Sequence, residues 1–342
     1  MRFRLGVAAA CGAAVCFGLP APASASSHSH AHTQTAVTCG MLVSTSITLT
    51  QDLSCPGTAL VVALETGPPV ALTVDLGGHT ITSATDAPIV ARDKAVTMTL
   101  RNGRIVTGDA QTAVEDEGHD NVYEHVTFDK GTLISVNDAF PHIRHCTFIH
   151  GAAVFTDQNS AYIAHNTFSQ DGAPTSSNSR SAIVLDSTNA TVIGNTITGY
   201  DTGIGVFGDL ASANVRGNLL TRNGTGIRIV GVGDSLMSVT VKKNIAIANR
   251  GDGIVVGDST NSDISKNTAL LNGGDGIQID PTPLFPGAPI ALIAKLARNV
   301  AFANAGWGIA APANSAHVAV VDGGRNVAHF NGIGQCQQVT CR

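Results

Sequence analysis

Three carboxylates recur at one position of a repeated sequence pattern. Glu117, Asp157 and Asp186 each lie three residues after an apolar position that the repeat assigns to the interior, and Asn137 occupies the same place between them. On consecutive strands such carboxylates would lie about 5 Å apart, where one negative charge raises the pKa of the next. Such a pair suits acid–base hydrolysis of glycosides, or a Ca²⁺ site built from oxygen ligands. The alternative is an acidic strip without a chemical role.

Histidine and basic residues share a second position of the repeat. His125, His145 and His165 are spaced twenty residues apart, in the fragments EHVTF, RHCTF and AHNTF. Three imidazoles whose rings converge would hold a transition metal ion. In later repeats the position changes to glycine and then to a basic residue, at Gly194, Gly217, Lys243, Lys266, Arg298 and Arg325.

The four cations Lys243, Lys266, Arg298 and Arg325 form a candidate substrate-binding ladder. With one cation per repeat, their spacing of roughly 5 Å would match the carboxylates of a uronic-acid polymer, whose sugar repeat is of similar length. The alternative, for the histidines and for the cations, is an exposed turn that tolerates any of these residues.

The N-terminal segment predicts secretion and offers a further metal-binding possibility. Arg2 and Arg4 precede an apolar stretch that ends in Ala23-Ser24-Ala25, which is typical of a signal peptide spanning residues 1–25. Residues 26–37 would then be a flexible His-rich segment. Cleavage after residue 25 would leave His28 third from a free amine, an arrangement that binds Cu²⁺ or Ni²⁺ in a square plane. No other apolar run is long enough to span a membrane, so we expect a secreted, extracellular protein.

Five cysteines remain after such a cleavage, in a compartment that favours disulfides. Cys39 and Cys55 bracket the first possible hairpin, and Cys336 and Cys341 lie close together at the C-terminus. We expect each pair to form a local disulfide that ties down one end of the fold. Cys146 is left over and is expected to be buried and inert.

The charge balance excludes one large class of function. The chain has 20 Lys and Arg against 25 Asp and Glu, a net charge of −5, which is unlike a general nucleic-acid-binding protein. The 37 glycines and the 13% of charged residues indicate many turns and a large dry interior.

Short asparagine-centred blocks repeat along the second half of the chain and predict a solenoid. The segments between them are short, β-branched and bounded by glycine, which is typical of strands. Each repeat would be one coil, stacked on the next at about 4.8 Å, and each asparagine would accommodate a left-handed backbone and bond to its equivalents in adjacent coils. The leading asparagines are Asn166, Asn195, Asn218, Asn244, Asn267, Asn299 and Asn326, and a second set comprises Asn223, Asn249, Asn272, Asn304 and Asn331.

The regular spacing of phenylalanine indicates stacking in the core. One inward column is predicted to contain Phe128, Phe148, Phe168, Ile197 and Leu220. A second would contain Val114, Ile134, Val154 and Ile183, which keep a constant distance from the asparagine position. Coils of roughly 24 residues predict a single domain of about a dozen coils over residues 38–342, for which we expect a monomer.

The chain resembles secreted right-handed parallel β-helix repeat proteins of the pectin-lyase-like superfamily. The resemblance rests on these repeats and on an opening segment, TCG…ITLTQDLSCPG…VDLGGHTI, between Thr38 and Ile81. It implies an all-β fold, a single-stranded right-handed parallel β-helix solenoid. Relatives include polysaccharide lyases, polygalacturonases, uronan epimerases and adhesins, so the fold by itself does not select an activity. The catalytic signatures of polygalacturonases, pectate lyases and alginate epimerases are missing from this sequence.

Two functions therefore stay open. The first is a secreted protein that binds carbohydrate, with an acidic polysaccharide as its partner, without catalysis. The second is a polysaccharide lyase or glycoside hydrolase acting on a uronic-acid polymer. In that reading Glu117, Asp157 and Asp186 would be acid–base groups or Ca²⁺ ligands, and the basic residues would bind substrate.

Overall fold

Short runs of β-branched and small apolar residues, each ended by a turn, form 35 β-strands in the part of the chain that the structure describes. The structure is a computed structural model, and it describes residues 36–64, 68–108, 112–118, 120–137, 139–171, 181–208, 212–231, 237–257, 260–282, 292–315 and 317–342. The expected signal peptide and His28 lie outside the described residues. Among those residues, no helix has the length and apolar character needed to cross a membrane.

The strands are numbered in chain order. The first twelve are β1 Met41–Val43, β2 Ile47–Thr48, β3 Leu53–Cys55, β4 Leu60–Val62, β5 Val70–Asp75, β6 Thr80–Ser83, β7 Ile89–Ala91, β8 Val96–Val106, β9 Thr112–Asp116, β10 Val122–Asp129, β11 Thr132–Ser135 and β12 His142–Arg144. The next twelve are β13 Thr147–Ile149, β14 Ala153–Asp157, β15 Ser160–Ala164, β16 Thr167–Ser169, β17 Ser181–Asp186, β18 Asn189–Ile193, β19 Thr196–Thr198, β20 Thr202–Gly208, β21 Ser212–Arg216, β22 Leu219–Thr221, β23 Thr225–Gly231 and β24 Met237–Lys242. The last eleven are β25 Ile245–Ile247, β26 Ile254–Val256, β27 Thr260–Ser265, β28 Thr268–Leu270, β29 Ile277–Ile279, β30 Leu292–Ala297, β31 Val300–Phe302, β32 Trp307–Ala310, β33 Val318–Asp322, β34 Val327–His329 and β35 Gly334–Cys336.

Parallel pairing joins each strand to the equivalent strand of the next coil and produces three long sheets. The first sheet has 13 strands, in the order β1, β4, β7, β9, β11, β14, β17, β20, β23, β26, β29, β32 and β35. The second sheet runs through β2, β5, β8, β10, β12, β15, β18, β21, β24, β27, β30 and β33. The third runs through β3, β6, β8, β10, β13, β16, β19, β22, β25, β28, β31 and β34, so β8 and β10 are shared. The predicted parallel β-helix of about a dozen coils is confirmed.

The interior is filled by columns of equivalent residues from successive coils. Phe128, Phe148 and Phe168 are fully buried, and their rings stack with centroids 4.7 and 4.4 Å apart. Ile197 and Leu220 continue the same column and are equally buried. The predicted phenylalanine column is therefore confirmed. Its rings bury large apolar surfaces in three consecutive coils of a chain that has few aromatic residues.

One position of the second predicted column is wrong. Leu133, not Ile134, aligns with Val114 and Val154, and Leu133 is fully buried. The strand register shifts between Thr132 and Leu133, which moves every following side chain of β11 by one place. Because side chains alternate between the two faces of a strand, this shift turns Ile134 outward. As a result, Val136, and not Asn137, is the residue of this coil that is equivalent to Glu117.

Small residues permit close coil contacts in the C-terminal half. A Cβ atom on Gly253 would lie 2.5 Å from the Gly276 carbonyl oxygen and 2.9 Å from the Asn272 side-chain nitrogen. The phenylalanine column continues here as alanine, at Ala246 and Ala269. The Gly-Ile motif is thus a packing requirement of the coil, since any side chain at this glycine would separate neighbouring coils.

Both predicted disulfides are present. Cys39 is bonded to Cys55 in the first coils and Cys336 to Cys341 at the C-terminal end. Cys146 is a buried free thiol whose pKa is raised to about 12 by burial, which makes it unreactive as expected.

Candidate functional site

In most coils, the strand of the second sheet is followed by a turn residue with left-handed backbone geometry. Lys243, Lys266, Arg298 and Arg325 have φ angles of 57°, 60°, 57° and 61°. The same geometry holds for the other members of this column, His125, His145, His165, Gly194 and Gly217. The asparagine that follows does not have positive φ, so the expectation that it occupies the left-handed position is wrong. The side chain of the turn residue faces solvent, while the asparagine side chain enters the core.

The asparagines hold these turns in place through a continuous hydrogen-bonded ladder. The Asn244 side-chain oxygen accepts from the Asn218 backbone and side-chain nitrogens, both at 3.0 Å. The Asn244 side-chain nitrogen donates to the Val215 carbonyl at 2.9 Å and to the Asn267 side-chain oxygen at 3.1 Å. Every polar atom of a fully buried amide is thereby satisfied across three coils, which confirms the predicted bonding between equivalent asparagines.

The basic ladder, defined as Lys243, Lys266, Arg298 and Arg325, occupies four consecutive coils of this turn. All four side chains are exposed. None of them forms an ion pair with another residue of the described ranges, whereas Lys242, one position earlier, pairs with Asp263 at 2.9 Å. The ladder therefore presents four unneutralised charges in a row on an acidic protein.

The histidine column, defined as His125, His145 and His165, continues the same turn toward the N-terminus. The rings are exposed and stacked, with centroids 5.4 and 5.6 Å apart and planes within about 11° of parallel. Within the described part of the chain, no group of three or more His, Cys, Asp or Glu side chains is placed to hold a metal ion. A shared metal would require the rings to leave this stack.

The N-terminal part of the acidic strip is neutralised by an arginine. Glu117 follows β9, and its carboxylate lies 3.6 Å from the guanidinium of Arg92. Arg92 also forms an ion pair with Glu115 on the same strand face. Glu117 is therefore held in a small surface charge cluster rather than beside the other two carboxylates of the strip.

Asp157 and Asp186 are brought together as paired residues at the ends of β14 and β17. Partial burial raises the pKa of Asp157, and the negative charge of Asp186 raises it further, against a hydrogen bond from the Gln158 amide. The Asp186 carboxylate accepts a hydrogen bond from the Ser187 hydroxyl at 3.3 Å. Of the three carboxylates of the predicted strip, Asp157 and Asp186 are the two that lie at paired positions of adjacent strands.

Aromatic residues beside this pair were missed by the sequence reasoning. Phe207 is the strand partner of Asp186 in the next coil, and Phe155 lies two residues before Asp157 on the same outward face. A Cβ atom on Gly205 would lie 2.5 Å from the Phe207 ring, so the ring lies over this glycine. The alternation of inward and outward residues along β14 and β20 was the sequence signal that could have predicted them.

The comparison with protein families agrees with this architecture. Residues 132–282 match the model of the right handed beta helix region. The chain has the fold of a right-handed parallel β-helix. The match spans β11 to β29, which includes Asp157 and Asp186 at the ends of β14 and β17 and the turns that carry Lys243 and Lys266. No curated protein gives a significant match to the sequence.

The solved structures to which this chain is similar are distant in sequence. The periplasmic alginate epimerase AlgG is 14% identical, with 83% of this chain and 73% of that chain covered and a TM-score of 0.48. The A-module of the mannuronan C-5 epimerase AlgE6 from Azotobacter vinelandii is 12% identical, with 87% and 91% covered and a TM-score of 0.40. The catalytic domain of a GH87 alpha-1,3-glucanase is 13% identical, with 83% and 62% covered and a TM-score of 0.24.

Proposed function

We propose that the protein binds an acidic polysaccharide along the basic ladder. The observation that carries this proposal is the row of four exposed, unpaired cations in consecutive coils. Equivalent positions of a parallel solenoid repeat at about 4.8 Å, so a chain of uronic acids lying along the axis meets one cation per sugar. The two arginines can each bind a carboxylate through two parallel hydrogen bonds, which adds orientation to the charge attraction.

The exposed position of the ladder sets its expected strength. Each solvent-exposed ion pair contributes about 0.2–1 kcal/mol, so affinity arises from several sugars bound together. Binding should weaken as ionic strength rises because these charges are fully screened by salt.

Glycine substitution tests the ladder without disturbing the turn. The column already contains Gly194 and Gly217 at the same left-handed geometry, so Lys243→Gly with Lys266→Gly relieves the backbone instead of straining it. We expect this double variant to lose affinity for hexauronates by about 2- to 30-fold and to retain its melting temperature. Titration calorimetry with galacturonate and mannuronate hexamers, at low and high salt, measures both effects.

Arg222→Gly provides the matched control. Arg222 is an exposed left-handed residue before an asparagine, but it belongs to the turn that follows the third sheet. This variant removes one cation from the same kind of turn on a different side of the coil and should bind hexauronates normally. Unchanged binding in the Lys243→Gly, Lys266→Gly variant, or an equal loss in Arg222→Gly, contradicts the proposal.

A second candidate function, glycoside hydrolysis or lyase chemistry, is favoured by the Asp157–Asp186 pair. The pKa of Asp157 is raised by partial burial and by the neighbouring charge of Asp186, which is the direction needed for the division of roles that glycosidases use. Phe155 and Phe207 provide apolar surface for a sugar ring next to the pair. The two candidates concern different faces of the solenoid and are compatible in one protein.

Product analysis separates the two candidates. The protein is incubated with uronic-acid and neutral polysaccharides, with Ca²⁺ and with chelator, while new reducing ends and unsaturated products are followed together. Asp157→Asn is expected to abolish turnover, and Glu117→Gln, whose side chain pairs with Arg92, to preserve most of it. If no polymer is cleaved, or if Asp157→Asn retains full activity, catalysis at this pair is excluded.

A further inference from the structure

A shallow polar groove lies on the outer face of the second sheet, across β18, β21 and β24. Its volume is about 310 Å³, and it is open to solvent along one side. Two columns of side chains line it, each with one member per coil. One column contains Asn189, Ser212 and Ser238, and the other contains Thr191, Asn214 and Thr240.

These side chains offer hydrogen bonds that the protein itself does not use. The Asn189 side-chain oxygen accepts from the Ser212 hydroxyl at 2.8 Å and from the Ser212 backbone amide at 3.2 Å. In the described part of the chain, the side chains of Thr191, Asn214 and Thr240 form no hydrogen bond with the protein. Hydroxyl and amide groups both donate and accept, which is the property needed to recognise sugar hydroxyls.

The rest of this sheet face is built differently. Toward the N-terminus its outward residues form ion pairs, such as Arg144 with Glu124 at 2.8 Å. Toward the C-terminus they include the exposed apolar residues Ile293 and Val321. Asparagine is disfavoured in strands, so strand propensity does not explain why Asn214 stands at the centre of the groove. The groove is thus a distinct stretch of this face, because the side chains that line it in three coils are uncharged and most of them can form hydrogen bonds.

Two neighbouring features fit a sugar chain lying in the groove. Tyr162 is the strand partner of Thr191 at the N-terminal end, and 37% of its surface is exposed. Its ring provides an apolar surface with a polar tip, suited to a pyranose. At the turns of the first two groove coils the left-handed residues are Gly194 and Gly217, so these two turn positions carry no side chain.

The groove leads directly into the basic ladder. Thr240 lies in the groove on β24, and Lys243, the first ladder cation, follows three residues later in the same coil. Arg216, exposed at the end of β21, stands between the two surfaces and forms no ion pair with another described residue. A polymer running along the solenoid axis would therefore meet the three groove coils, the last of which also carries Lys243, and then three further cationic coils.

We propose that the groove is a subsite for uncharged sugars, so that the ligand is a heteropolysaccharide with neutral and uronic-acid residues in one chain. The inference rests on the proposed function, because the acidic portion of the ligand is assigned to the ladder. Neutral sugars are held by hydrogen bonds to the two columns, and acidic sugars by the cations of the following coils.

Isosteric substitutions test the groove. Thr191→Val with Thr240→Val replaces two hydroxyls by methyl groups and retains β-branched residues that strands favour. Losing two hydrogen bonds is expected to weaken binding of uncharged hexasaccharides by about 5- to 150-fold. The probes are gluco-, manno-, galacto- and xylo-configured hexamers, titrated at low and high salt. Thr167→Val, an exposed position of β16 in the third sheet, is the control and should leave binding unchanged.

The two sets of variants distinguish failure of the groove from failure of the ladder. The groove variant should lose neutral hexasaccharides at any salt concentration and retain hexauronates, and the Lys243→Gly, Lys266→Gly variant should do the reverse. If none of the neutral hexamers binds, or if the Thr191→Val, Thr240→Val variant binds them normally, the groove assignment is overturned while the ladder stands. Neutral binding without any hexauronate binding overturns the ladder and, with it, the mixed ligand.

Discussion

Asp116 is the residue whose environment departs most from that of a typical aspartate. It faces inward on β9, in line with Ser135 and Thr156 of the next coils, and is 1% exposed. One carboxylate oxygen accepts from the Asn121 side chain at 2.6 Å and from the Gly118 amide at 3.0 Å. The other oxygen and the neighbouring Tyr123 hydroxyl are buried without a hydrogen bond of good geometry. Burial raises the pKa of Asp116 to about 6.

This shift predicts a pH dependence of stability that belongs to one side chain. Because the pKa of Asp116 is higher in the folded protein than its ordinary value of 3.8, its contribution is complete below pH 3.8 and is lost as the pH rises through about 6. The loss amounts to about 3 kcal/mol. Asp116→Asn should remove it, so the variant should gain stability over the parent between pH 4 and pH 7.

Urea unfolding of both proteins across this range measures the difference. Other aspartates, among them Asp75 and Asp129, have pKa values lowered by hydrogen bonds and arginine partners, which act against the desolvation that burial imposes on each. The stability that these aspartates contribute is lost as the pH falls, which is opposite to the pH dependence of Asp116. This contribution is the same in the parent and in the variant. If the free energies of unfolding of the parent and of Asp116→Asn changed in parallel between pH 4 and pH 7, the pKa of Asp116 would not be raised in the folded protein.

At the scale of the element, the turn after the second sheet has one residue that stabilises the fold and one that is free to vary. Its asparagine is buried and satisfies backbone groups of adjacent coils, while the residue before it tolerates histidine, glycine, lysine or arginine. Non-glycine residues in left-handed geometry cost roughly 1–2 kcal/mol each, so a run of four lysines and arginines there is not favoured by the backbone.

Truncating one side-chain amide of the buried asparagine ladder should strongly reduce the stability of the fold. Asn244→Ala removes bonds to Asn218, Val215 and Asn267 and leaves buried donors and acceptors without partners. We expect a loss of at least about 3 kcal/mol, measured by chemical denaturation. Asn214→Ala, on the outward face of β21, is the matched control and should change stability by less than about 0.5 kcal/mol. Similar losses in both variants would contradict the importance of the buried ladder.

At the scale of the whole molecule, each coil contacts mainly its neighbours, so we expect unfolding to begin at the ends. The C-terminal end is covered by the chain itself: the Arg342 amide donates to the Asn326 carbonyl at 3.0 Å, and the Ala328 amide donates to the Arg342 carbonyl at 3.3 Å. The Cys336–Cys341 bond holds this segment against the last coil, and Cys39–Cys55 closes the first.

The two disulfides should stabilise their own ends to different degrees. Cys39–Cys55 closes a sequence separation of 16 residues and Cys336–Cys341 one of 5 residues. The chain-entropy argument gives about 3 and about 2 kcal/mol respectively. Replacing the first pair by serine should speed hydrogen exchange in β1–β4 and leave β20–β23 unaffected, as followed by mass spectrometry. Faster exchange in the central strands would show that the solenoid unfolds as one unit instead.

The sequence by itself determined the features that repeat at the period of the coil. The parallel β-helix, the bonding between equivalent asparagines, the phenylalanine column and the buried Cys146 were all predictable, because a residue in a parallel solenoid packs mainly on its equivalent in the next coil. The two terminal disulfides were predictable because each joins cysteines close in sequence. These contacts depend on spacing, and spacing is visible in the sequence.

Only the tertiary structure decided which surfaces the outward residues share. One register shift at Leu133 moved Ile134 and Asn137 away from their predicted places, and the inward turn of Asp116 was missed. The groove joins residues of three strands that are separated by turns of unequal length, as Thr191, Asn214 and Thr240 illustrate. Outward side chains carry no apolar signal that would reveal their alignment. Their neighbours are set by backbone register and loop length, which are properties of the folded chain.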